Sequence, residues 1–196
     1  LKTIDDVRRY TYEVAQRFPA IAGEIEVTAE ALELPKGLVA ELQLPRGYCS
    51  VAEANRLAGV SIGFFALWPS FVRESLEQSL IKANASDSSV GLFGGNTLIA
   101  VARYEANPIC VASAASDARD QVFLLDTMSS PNWKLRSIAT NFEQFLALAA
   151  NVHRISDMYD GEIKAGQEEM GRCCEALACS PEQTAFWQSR ITEMLA

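Results

Sequence analysis

The chain has one histidine, His153, among 196 residues. Histidine is the usual general base and metal ligand near neutral pH, so a single copy leaves a catalytic triad or a zinc centre short of parts. On its own residues His153 falls toward the end of an amphipathic stretch, where packing or a favourable place near a helix C-terminus accounts for it. The five cysteines, at 49, 110, 173, 174 and 179, lack the twice-repeated short spacing of a zinc site and read as reduced thiols. No run approaches the roughly 20 apolar residues that cross a bilayer. The most apolar stretch, 59–69, is short and carries Gly63 internally. The first residues have neither a basic n-region nor an apolar h-region, so no signal peptide is read and a cytoplasmic protein without membrane contact is expected. Positive charge is also scarce. The net charge is −8, which disfavours nucleic acid and suits a basic protein partner. The excess is uneven: residues 156–196 carry a net −5 and residues 1–155 a net −3.

Phosphate-binding loops are missing as well. Gly91-Leu92-Phe93-Gly94-Gly95-Asn96 superficially resembles one, but Thr97 follows with no Gly-Lys-Ser/Thr, and 98–101 reads as a strand where a dinucleotide fold needs a helix. The glycines are therefore expected to supply positive φ in a hairpin. Asp117 and Asp120 flank a turn, and Asp157, Asp160 and Glu162 surround Gly161; neither series has the spacing of a calcium loop. No cofactor or metal is expected. A carboxylate pair far apart in the chain, as hydrolases use, stays open at this level.

What is present is an ample apolar content, 49% of the chain, in recognisable periods. Thr3 and Asp6 form a capping box that opens a helix ended by Pro19. A short strand is expected at 25–27 and a short helix or turn between Pro35 and Pro45. Ser50 with Glu53 reads as a second capping box, with Gly59 as its left-handed stop. Residues 60–68 read as one buried strand in which Phe64 and Phe65 must face opposite ways. A helix over 69–83 would bury Phe71, Val72, Leu76 and Leu80, and a polar loop is expected at 84–89. Four short strands are then expected, at 89–93, 97–103, 108–113 and 121–126. Their connections are too short for parallel crossovers, so they form an antiparallel meander. Val122 to Leu125 are apolar throughout, the mark of a strand covered on both faces. A helix capped by Thr140 and Glu143 follows, then one over about 162–178. The last opens at Ser180-Pro181-x-Gln183. The fold class is α+β, an antiparallel meander packed against several helices with a C-terminal helical extension; the division is 1–155 and 156–196.

One further signal comes from the order of motifs. Gly91 to Asn96, then Asn107-Pro108-Ile109-Cys110-Val111-Ala112, then Gln121-Val122-Phe123-Leu124-Leu125-Asp126, then Phe142-Glu143-Gln144-Phe145-Leu146 follow in a sequence that resembles the SUKH superfamily. Leu44-Pro45-Arg46-Gly47-Tyr48 is similar to that family's early proline–tyrosine segment. The chain departs from the pattern at Leu57-Ala58-Gly59 and around Trp68, and 156–196 has no counterpart. The resemblance implies a non-enzymatic domain of the Smi/Knr-like kind: an immunity protein that binds and neutralises a bacterial toxin, a basic nuclease among them. The alternatives are a scaffold of the cell-wall-regulator type and, third, a hydrolase. The motif residues would be core and turn positions. The candidates for contact with a protein partner are Trp68 and Trp133, as aromatic anchors, with Asp117 and Asp120.

Overall fold

The computed structural model describes residues 1–72, 74–94, 97–128 and 132–196. Helix α1 spans Ile4–Arg17, and both halves of the Thr3–Asp6 capping box are made. The chain then turns through Pro19–Ile21 into a short α2, Ala22–Ile25, so no strand forms at 25–27. Only an isolated bridge joins Ala29 to Asn55. Helix α3 covers Lys36–Leu42 between the two prolines.

Helix α4 runs Arg46–Ala54, which corrects the capping box expected at Ser50. Pro45 precedes the first turn, where its fixed φ and missing N–H cost nothing, so Ser50 falls inside the helix. Pro45 cannot cap with its side chain, and the cap arrives from 73 residues away: the Gly47 N–H donates to Asp120 Oδ1 at 3.0 Å. Asp120 itself sits at φ +69. A Cβ on Gly47 would lie 2.5 Å from that oxygen, so any larger residue here must push the capping carboxylate aside.

The single strand expected at 60–68 is a tight hairpin, β1 (Ser61–Ile62) and β2 (Phe65–Ala66). Gly63, at φ +59, permits the turn. Phe65 is buried while Phe64 is half exposed at the tip. The helix expected from 69 begins later, as α5, Leu76–Ala83; Ser75 is its cap, accepting from Gln78 N–H. Phe71 and Val72 consequently lie outside any helix. Residues 89–93 are helical too, part of α6, Ser89–Gly94. In it Gly91 allows close approach, since a Cβ there would stand 2.7 Å from the Ala85 carbonyl oxygen. The expected hairpin turn at Gly94-Gly95-Asn96 falls partly outside the described residues.

The meander continues as β3 (Leu98–Tyr104), β4 (Asn107–Ala112), β5 (Val122–Asp126) and β6 (Lys134–Ala139). Among the described residues the six strands make one antiparallel sheet in sequence order. Strand β6 was not expected from the sequence. Helix α7 follows, Phe142–Tyr159, capped by Asn141 and not by Thr140; Glu143 Oε1 instead accepts from the Ile4 N–H at 3.0 Å. Thr140 bonds Gln144 Oε1 through its N–H and its hydroxyl. Helices α8 (Ile163–Ala176) and α9 (Pro181–Leu195) complete the chain, and α9 opens with the expected Ser180–Gln183 capping box and Pro181.

One face of the sheet, here the inner face, contributes Ile99, Val101, Ile109, Val111, Val122 and Leu124 to a core shared with α1, α4, α7, α8 and α9. Trp187 of α9 is fully buried in it, stacks near Phe65 and Phe145, and donates its indole N–H to the Ile138 carbonyl at 2.7 Å. Phe142, Phe145 and Leu146 of α7 are likewise buried. The outer face carries a much smaller cluster, Val90, Leu98, Ala100, Cys110 and Leu125, with Phe123 and Trp133 packed against it. Alternate residues of β5 thus enter two different clusters. That is the double coverage its unbroken apolar run implies.

Candidate functional site

Two of the concave regions among the described residues differ in kind. The first is a groove of about 470 Å³ between α1 and α7, lined by Tyr10, Tyr12, Arg17, Arg154, Asp157 and Met158 among others. Beside it stands His153. Its Nδ1 and the Tyr10 hydroxyl share a hydrogen bond of 2.6 Å, with the rings edge to face. Burial lowers the His153 pKa, partly offset by Asp157, and burial raises that of Tyr10. Both shifts favour a neutral phenol donating to a neutral imidazole. Asp157 is engaged by Arg17 at 2.8 Å, and Ser156 Oγ donates to the His153 carbonyl. The hydroxyl on the imidazole is thus a phenol that burial holds protonated, and the nearby Asp157 carboxylate is bonded to Arg17. The place of His153 is in the packing of α1 on α7.

The second region is the outer face of the sheet. A cleft of about 230 Å³ opens over Ala100, Arg103 and Pro108, walled by Pro69, Ser70 and Phe71 on one side and by the end of α5 on the other. Arg103 organises this wall. Its guanidinium carbon lies 4.4 Å from the Phe71 ring centre and 5.7 Å from that of Trp68. Its Nε donates to the Ser70 carbonyl and Nη1 to that of Glu105. Lys82 of α5 meets Glu74 at 2.8 Å on the same segment. The cation spans the two aromatic rings, and burial lowers its pKa. The segment is thus pinned, yet Phe71 remains 69% exposed and Val72 58%.

Further round the same face, Phe93 of α6 lies 6.4 Å from Trp133, ring centre to ring centre. Leu92 beside it is 71% exposed. Met128, after β5, and Leu135, on β6, are exposed too. Exposed large apolar side chains also occur elsewhere, among them Tyr12, Phe18, Ile21 and Met158; those named here differ in flanking a cleft and an aromatic pair, the kind of grouping that contact surfaces use.

The four residues singled out in the sequence have separate fates. Trp68 is buried beneath Arg103. Trp133 is half-buried on the outer face, against the small cluster. Asp117 is exposed in the β4–β5 connection. Asp120, in the same connection, caps α4. Phe71, Leu92 and Met128 were not singled out. A helical reading of 69–83 placed Phe71 inward, and a strand reading of 89–93 left Leu92 without a surface role. The signal that could have found Phe71 is Ser75-x-x-Gln78, a capping pattern inside the supposed helix.

No group of three or more His, Cys, Asp or Glu side chains is arranged to hold a metal ion among the described residues. No helix among them is long and apolar enough to cross a membrane. Comparison with protein-family models, with curated proteins and with solved structures finds no match to this chain. What geometry and chemistry do establish is an α+β protein whose meander is packed against several helices and bears an apolar outer surface.

Proposed function

We propose that this chain is a protein-binding domain of the SUKH-like kind, an immunity protein that binds and neutralises a basic toxin domain through the outer face of its sheet. The observation that carries the reading is the exposed apolar set of Phe71, Val72, Leu92 and Met128, of which Phe71 walls the pinned cleft. Aromatic and aliphatic side chains held on a rigid frame make effective contact anchors, because little conformational entropy is lost on binding. The half-buried Trp133 adds a flat, amphipathic ring at the same face. The net charge of −8 favours encounter with a cationic partner. The order of strand and helix motifs supports the family reading, with β4 and β5 separated by a polar turn and α7 carrying Phe142, Phe145 and Leu146. Its glycine segment supports it less, since α6 occupies that stretch.

The test is growth rescue. The chain is co-expressed with toxin domains encoded by adjacent reading frames, beside the double variant Phe71→Ser with Leu92→Ser. Rescue by the native chain and its loss in the variant, with circular dichroism unchanged, is the expected result. Rescue that survives the double substitution would move the contact away from the outer face. Stable binding to a partner without toxicity would turn the reading toward a scaffold. Failure to rescue against every adjacent product would end the immunity reading.

A further inference from the structure

Three of the five cysteines gather where α8 turns into α9, remote in function from the outer face. Cys174 lies in the last turns of α8 and is fully buried. Cys179 stands immediately before Ser180, the cap of the 15-residue α9, and is half-buried. Leu177 closes α8, Ala178 takes a left-handed conformation at φ +54, and the Cys179 N–H returns to the Cys174 carbonyl at 2.9 Å. This is the left-handed fold-back of a helix end, and in it positions 174 and 179 are the two whose side chains face each other across the turn. Cys173, their neighbour in sequence, points elsewhere: its sulfur lies 3.6 Å from Arg154 Nη2.

We propose that Cys174 and Cys179 form a redox-active dithiol, with Cys179 the attacking sulfur and Cys174 the resolving one, oxidised by hydroperoxides to an intramolecular disulfide. Two features prepare Cys179 for attack. It is the reachable member of the pair, half-buried where Cys174 is fully buried. Its pKa is lowered by the neighbouring Cys174 thiol, against an opposing effect of burial. By contrast, burial raises the Cys173 pKa, and Cys110 is fully buried in the outer cluster.

The chemistry balances in two steps. The Cys179 thiolate attacks one peroxide oxygen, the O–O bond breaks, and the departing oxygen takes up a proton and leaves as water or an alcohol. Cys179 is then a sulfenic acid. Cys174 gives up its proton and its sulfur attacks the sulfenic sulfur. The S–S bond forms, the S–O bond breaks, and the hydroxide leaves with that proton as a second water. Two thiols lose two electrons and two protons, and the peroxide gains them. The product ties the end of α8 to the start of α9.

The test treats the reduced full chain with hydrogen peroxide and follows intact mass and a non-reducing digest. The expected result is loss of two hydrogens with a peptide linking positions 174 and 179. Cys173→Ser should behave like the native chain. Cys174→Ser should stop at a sulfenic acid that dimedone captures, and Cys179→Ser should give no link. A measurement on the native chain guards against misfolded variants: iodoacetamide at pH 7 should alkylate Cys179 about 10-fold faster than Cys173, as their thiolate fractions dictate. A disulfide that includes Cys173, oxidation without loss of two hydrogens, or equal alkylation of the two thiols would each overturn the proposal.

Discussion

The inner and outer faces of the sheet solve the same problem with different means. The inner face lies under several helices, and its residues interlock with large buried rings: Trp187, Phe65, Phe142 and Phe145. The outer face buries few residues, and polar pins supplement them. Arg103 holds the segment before α5 through two carbonyls and two rings. Asn84 holds β3: its Nδ2 donates to the Ala100 carbonyl at 2.9 Å, and its Oδ1 accepts from the Ala100 N–H at 2.8 Å. Packing makes the first face stable. Directed bonds let the second stay thin and keep its apolar side chains at the surface.

The largest expected effect falls on the inner face. Trp187→Ala removes the biggest fully buried side chain and an indole bond to Ile138, and should cost about 3–5 kcal/mol in urea unfolding. A cost near that of a surface substitution would show that α9 is not part of the cooperative core. Next comes Asn84→Ala, which strands both backbone groups of Ala100 and should cost about 1–3 kcal/mol. A neutral result would mean that packing alone holds the outer face, removing the contrast drawn above. The smallest effect is a pH slope. Burial holds the folded His153 pKa below its ordinary value of 6.5. The unfolded chain therefore binds this proton more readily, so stability is full above pH 6.5 and declines as pH falls below it. His153→Phe should flatten that part of the stability–pH curve, and an unchanged slope would assign it to other groups.

Legibility in the sequence followed the same division. Elements stabilised by their own local groups were readable: α1 and α9 carry reciprocal capping boxes, and β3, β4 and β5 carry dense apolar residues. Elements fixed by distant groups were not. Helix α4 takes its cap from Asp120, so the nearer Ser50 pattern misled. Strand β6 has an exposed first half, Lys134, Leu135 and Arg136, and so lacks a buried alternation. The apolar run at 60–68 concealed a hairpin because its residues are buried on both sides of the Gly63 turn. The outer surface was hidden for the same reason: an apolar residue in a sequence does not announce which way it faces.

The Asn84 pin has a meaning beyond its own two bonds. Among the described residues strand β2 pairs with β3 at Phe65–Tyr104 and Ala66–Arg103, and farther along β3 no described strand lies on that side. An open rung of this sort invites a foreign chain to zip on, the first step toward fibrous self-association. One carboxamide occupies the donor and the acceptor that Ala100 would offer it. Removing that side chain would leave the rung at Ala100 open to such pairing.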